Sequence, residues 1–140
     1  MSVCVEFTEI EAAQRQVVDS LRETGERLDP ELDASCKLFT QKVRQVERGV
    51  SMVYELAVVA TRRESNLDVI IPVWNLVVQF CDFTLDALRV LKDKFPFCGT
   101  PELYDLTLDY RLETEKRRNL FEEEAQCQTT LPKGLFPALS

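Results

Sequence analysis

Apolar residues recur along most of this chain at spacings of three and four, the repeat of one helical face. The clearest run is Leu32, Cys36, Phe39, Val43, Val46, Val50, Val53, Ala57 and Ala60. Its spacings alternate four and three without a break, which makes it a heptad seam. It predicts a helix from about residue 30 to 63, roughly 50 Å long at the α-helical rise. The two halves differ. Up to Arg48 only the seam is apolar, and Lys37, Lys42, Arg44, Glu47 and Arg48 cover the rest; from Val50 on, Met52, Leu56 and Val59 add a second stripe. The later half is expected to be buried on two sides and the earlier half on one. Phe39, Val43 and Val46 are therefore the candidate partner-binding seam, pairing with a second chain as in a coiled coil. Ordinary packing inside the protein's own bundle is the plainer reading of this seam, and extension of its first half beyond the bundle to another chain the sharper one. Gly49, with no proline beside it, implies a close helix–helix approach.

Three more helices follow from the same reading. The first opens at Thr8, with Glu11 completing a capping box, and carries Ile10, Ala13, Val17, Leu21, Thr24 and Leu28 to a stop at Asp29-Pro30. The third begins near Asp68 or Ile70, with Pro72 in its first turn, and runs to about Lys94. It is apolar nearly all round, so it belongs at the centre. Phe95 to Gly99 breaks the pattern, and Thr100-Pro101-Glu102 supplies an N-cap, a first-turn proline and a first-turn acid for the fourth. That helix uses Leu103, Leu106, Tyr110, Arg117 and Leu120 or Phe121, and from Glu113 it is charged almost all round. The connections are short, so consecutive helices should be antiparallel neighbours. The expected fold is all-α: a single antiparallel up-and-down four-helix bundle over residues 1–125, with a long second helix and an irregular tail over 126–140.

The tail, Leu131-Pro-Lys-Gly-Leu-Phe-Pro-Ala-Leu139, is too apolar for a neutral linker. Leu131, Leu135, Phe136 and Leu139 are candidate partner-binding residues, docking on another protein or strapping back onto their own bundle. In the third helix Trp74, Phe80 and Phe83 are candidates to line a small-molecule or lipid pocket. Trp74 also suits an interface anchor or a plain core position.

Composition changes this picture mainly by exclusion. The chain of 140 residues has no histidine, five cysteines and a net charge of −7. Without histidine there is no Ser–His or Cys–His nucleophile and no His-ligated metal. The cysteines are odd in number and widely spaced, with no Cys-x-x-Cys pair, as expected for small apolar residues in a reducing, cytoplasmic compartment. The N-terminus lacks a basic region and does not resemble a signal peptide. Residues 69–91 resemble a membrane span, but Asp82, Asp86 and Arg89 within them favour a buried helix. Acidity also disfavours nucleic acid and anionic membrane as partners.

Glu102, Asp105, Asp109 and Glu113 form a carboxylate stripe, read as a solvated flank with a Mg²⁺ site or a docking face for a basic partner as alternatives. Glu115 to Arg118 followed by Glu122 to Glu124 reads as intrahelical ion pairing. No cofactor, metal or catalytic group is expected. The reading is a non-enzymatic helical-bundle interaction module, an adaptor or assembly subunit that binds a protein partner or itself. A ligand-binding bundle with a pocket beside the third helix is the alternative, and a carboxylate–metal enzyme is the least favoured.

Overall fold

The computed structural model describes residues 3–130, with side chains from 5 to 128. They form four helices: α1 (Val3–Arg27), α2 (Asp33–Arg63), α3 (Leu67–Leu91) and α4 (Thr100–Thr130). Among the described residues there is no strand, and the all-α four-helix bundle is as expected.

Local chemistry accounts for the ends. The Asp29 carboxylate accepts the Glu31 N–H at 3.0 Å, an Asx turn that leads into α2. The Glu64 carboxylate accepts from the N–H groups of Ser65 and Asn66, and the Asn66 side chain caps α3 by accepting the Asp68 N–H at 3.0 Å. Pro72 lies inside α3 rather than in its first turn. There it has no N–H to offer the Asp68 carbonyl, one turn back. Thr8 is not the start of α1, which begins at Val3. Its expected partner Glu11 is instead 4% exposed and ion-paired with Arg15. At the other end α4 continues to Thr130, past the boundary expected at 125. The tail candidates Leu131, Leu135, Phe136 and Leu139 lie outside the described residues.

Side-chain pairs give the directions. Ser20 meets Lys42, and Gln14 lies over Gly49, so α1 and α2 are antiparallel. Asp82 pairs with Arg111, and Arg89 bonds Tyr104, so α3 and α4 are antiparallel too. Arg15 over Phe83 and Gly25 against Leu91 make α1 and α3 parallel. Gly99 near Val43 and Tyr54 on Tyr110 do the same for α2 and α4. Both α1 and α4 pack on α2 and α3, α2 and α3 also meet each other, and α1 and α4 do not touch. The order round the bundle is thus α1, α2, α4, α3, whereas a simple up-and-down ring closes α4 onto α1. The cause is legible in the stripes. The apolar girth of α3 and the double stripe of late α2 each accept three neighbours, while α1 and α4 each have one buried face.

The seam of α2 is core. Phe39, Val43 and Val46 are 0%, 2% and 1% exposed, which corrects their expected place on a free partner-binding face. α1 covers one side of them. The other side is closed by the connection between α3 and α4, where Phe95 stacks on Phe39 with ring centroids 4.0 Å apart and planes 6° from parallel. That connection turns through Cys98 (φ 67) and Gly99 (φ 85), both left-handed. Leu32, by contrast, is exposed. On α1 the buried line is Phe7, Glu11, Val18, Leu21 and Thr24, so the face is rotated from the expected one, Ala13 is exposed, and Ile10 and Val17 are half-buried.

Two glycines mark close approaches of different character. A Cβ on Gly25 would lie 2.5 Å from Leu91 Cδ2 and 2.8 Å from Phe39 Cε1, both on side chains sealed in the core. A Cβ on Gly49 would meet the amide end of half-buried Gln14, which is free to swing away. Gly25→Ala is therefore expected to destabilise by about 1–3 kcal/mol through overpacking. Gly49→Ala should be neutral or gain up to about 1 kcal/mol of helix propensity. Urea melts of the two variants check this, and equal effects would contradict the packing.

Among the described residues α3 is the one helix long and apolar enough to cross a membrane by length and composition. Twelve of its 25 residues are buried in the bundle, although Val90 is exposed.

Candidate functional site

The candidate pocket residues are not brought together. Trp74 faces α2 and α4, where its indole N–H donates to the Thr61 hydroxyl at 2.9 Å and its ring meets Tyr54 edge-on at 5.8 Å. Phe83 is on the opposite side, under the Arg15 guanidinium at 5.1 Å. Phe80 is fully buried between helices. Trp74 and Phe80 are thus packed core residues rather than walls of an open pocket, which corrects that expectation.

What converges instead is a cluster of aromatic rings and one cation. Tyr54 of α2 packs on Tyr110 of α4 at 4.9 Å, and the Arg117 guanidinium of α4 lies 5.7 Å from the centres of both the Tyr54 and Trp74 rings. Such a cation over aromatic faces is worth about 0.5–2 kcal/mol. Glu113 Oε1 lies 3.5 Å from Arg117 Nε, an ion pair without a hydrogen bond. Burial pushes the Tyr54 phenol up; the Arg117 guanidinium partly offsets this, and Glu113 and Glu55 push it further up. The sequence reading left Tyr54 without a role and did not group these residues. The available signal was the seven-residue spacing of Tyr110 and Arg117, repeated by Thr107 and Thr114. Both threonines are buried on α4, and each hydroxyl donates to the carbonyl four residues back, at 2.8 and 2.6 Å.

Beside this cluster Tyr54, Leu106, Asp109, Tyr110 and Glu113 line an open groove of about 240 Å³ between α2 and α4. Three other grooves, of about 80, 430 and 410 Å³, each carry both signs of charge: Glu6 with Arg63, Glu23 with Lys42, and Lys92 with Asp105. Of the four, the α2–α4 groove is the one whose charged lining is acidic alone. Glu102, Asp105, Asp109 and Glu113 are all exposed along α4. Among the described residues no group of three or more acids or cysteines is arranged to hold a metal ion. Further round α4, Leu108 and Leu112 face solvent one turn apart, Leu112 at 50% exposure. Leu120 is exposed as well, while its alternative Phe121 packs against the core.

The charge run on α4 is largely intrahelical, as expected. Arg111 takes Glu115 at 2.8 Å as well as Asp82 of α3, and Arg118 lies 4.0 Å from Glu122. These carboxylates hold the Arg111 guanidinium further toward its charged form, Asp82 most strongly. Arg111 is thus engaged toward α3, and on the α2 side Arg117 engages Glu113 alone of the four stripe carboxylates.

Cys36, Cys81, Cys98 and Cys127 are free thiols. Burial pushes the Cys81 thiol up to about 12, with Asp82 adding to the rise and Arg111 opposing it. Burial also raises Cys36, helped by the neighbouring Cys98 thiol and by Asp33 and Asp29. Neither has the lowered pKa of a reactive cysteine. A consequence can be measured. Folding raises the Cys81 pKa from 9.0, so above that pH the unfolded chain loses its proton while the folded chain keeps it. Stability is then complete below about pH 9 and falls as pH rises toward about 12. Urea unfolding compared at about pH 8 and about pH 10 should show this decline, and Cys81→Ala should flatten it. Iodoacetamide on the native protein should label exposed Cys127 first and Cys81 last of these four.

Comparison with protein-family models, curated proteins and solved structures finds no match to this chain.

Proposed function

We propose that this protein is a non-enzymatic helical-bundle interaction module, an adaptor or a subunit of a larger assembly. The observation that carries the reading is the α2–α4 groove, where half-buried Leu106 and Tyr110 with the edge of buried Tyr54 lie beside a stripe of exposed carboxylates. Aromatic residues in a concave apolar site are the usual anchors of protein contacts. The outward leucines of α4 extend the apolar surface available to a partner. The reading includes a reducing, cytoplasmic setting, supported by the odd number and wide spacing of the cysteines. The ligand-binding alternative has less support, because Trp74 and Phe80 are enclosed by neighbouring side chains.

Light scattering on the purified chain, followed by pull-down with the full chain and with a chain ending at residue 130, tests the reading. A defined self-assembly or a stoichiometric partner is the expected result. Loss of the partner on removing 131–140 would assign the contact to the tail. A strict monomer that retains nothing would overturn the proposal.

A further inference from the structure

We propose that the α2–α4 groove takes a basic amphipathic segment of a partner protein, an apolar side chain entering between Tyr54, Leu106 and Tyr110 while lysines or arginines pair with Glu102, Asp105 and Asp109. This rests on the interaction-module reading and gives it a partner chemistry.

The argument starts from spacing. Glu102, Asp105, Asp109 and Glu113 step by three, four and four, so they share one side of α4 over about 16 Å. All four are exposed, and Asp109 and Glu113 are part of the groove wall. Their charges are in different states. Glu113 is engaged by Arg117, and the other paired acids of α4, Glu115 and Glu122, have arginines one turn away. Glu102, Asp105 and Asp109 have no ion-pair partner among the described residues. The facing helix adds Glu55, close enough to raise the Tyr54 phenol. An apolar trough walled by Asp109 and Glu113, with Glu102 and Asp105 further along the same side of α4, complements a helix carrying an apolar anchor flanked by cations at three or four residues' distance.

The structure also contains a small-scale example of this recognition. Arg117 lays its guanidinium against the Tyr54 and Trp74 rings with Glu113 beside it, so rings and a carboxylate at this place already accommodate a cation. The same charge argues against other polymers. A polyphosphate or an anionic bilayer would be repelled by the stripe.

The test uses the full chain and two fluorescent amphipathic helical peptides, one of leucine and lysine and the other of leucine and glutamate. Anisotropy at low and high salt is read for the natural chain and for Asp105→Lys/Asp109→Lys. The control is Glu9→Lys/Glu23→Lys, exposed positions on α1, which does not touch α4. Circular dichroism melts of both double variants establish that each is folded.

The expected result is binding of the lysine peptide that weakens with salt. It should fall at least about tenfold in the α4 variant and less than about twofold in the α1 control. Equal losses in both variants would overturn the proposal by reducing the effect to net charge. Equal binding of the glutamate peptide would overturn the basic partner and leave the interaction module standing. If neither peptide binds while light scattering still finds an assembly, the groove proposal falls and the module stands; if the chain is also a lone monomer, both fall.

Discussion

Val46→Asp is expected to abolish cooperative folding at 25 °C. Val46 is 1% exposed on the seam of α2, deep between helices. Its seam neighbours Val43, Gly49 and Val50 are buried and apolar, so the substitution puts a charge into the core. An uncompensated buried charge costs several kcal/mol, even after the group raises its pKa to escape ionisation. A domain of this size has only about 5–15 kcal/mol in total. The check is far-UV circular dichroism with urea unfolding. The control is Arg48→Asp, two residues away on the exposed side of the same helix, which should stay within about 0.5 kcal/mol. Phe39→Ala should give an intermediate loss of about 3–5 kcal/mol, since it removes a fully buried ring and the stack with Phe95. If Val46→Asp melted like the natural chain, early α2 would not be packed at all.

The second large effect belongs to Trp74. Truncation to alanine should cost about 3–5 kcal/mol, because the side chain is fully buried and large. Trp74→Phe separates the contributions. It keeps most of the apolar body and loses the hydrogen bond to Thr61, about 1 kcal/mol. It also weakens the Arg117 contact. Thr61 remains satisfied through its own bond to the Ala57 carbonyl at 2.8 Å, which keeps this loss small. A double-mutant cycle of Trp74→Phe with Arg117→Gln should show a coupling of about 0.5–1 kcal/mol. Zero coupling would remove the cation from the aromatic cluster. As the single tryptophan, Trp74 also reports its own burial through a blue-shifted emission that moves red on unfolding.

The helices differ in how much of them the sequence revealed. The heptad seam of α2 is apolar at every step, and all of its members from Phe39 to Ala60 are buried. The Thr100-Pro101-Glu102 signal marks the start of α4 to within a residue: Thr100 is already helical, its hydroxyl donates to the Phe97 carbonyl, and the Gly99 carbonyl accepts the Leu103 N–H. The beginning of α1 was read five residues late. Two polar residues, Glu11 and Gln14, lie on its inner line, and Thr8 with Glu11 imitates a cap. A polar side chain buried through a local partner, as Glu11 is with Arg15, carries no apolar signal.

The candidate site was legible only in fragments. The carboxylate stripe was visible as a spacing, and Trp74 as a large aromatic. Their relation to Tyr54 and Tyr110 depends on α2 and α4 running parallel at one particular offset, and no periodicity within a helix encodes an offset between helices. The seam of early α2 shows the same limit. In isolation it reads as a stripe waiting for another chain; in the fold, Phe95 of a distant connection covers it. The sequence by itself determined the number of helices, most of their ends to within about three residues and which face of α2 is buried, because these follow from interactions within a few residues along the chain. The tertiary structure alone decided the order of the helices round the core, and with it which apolar face is closed and which groove is left open with Asp109 unpaired on its wall. Those outcomes turn on which surfaces exclude water from one another, a property of pairs of elements.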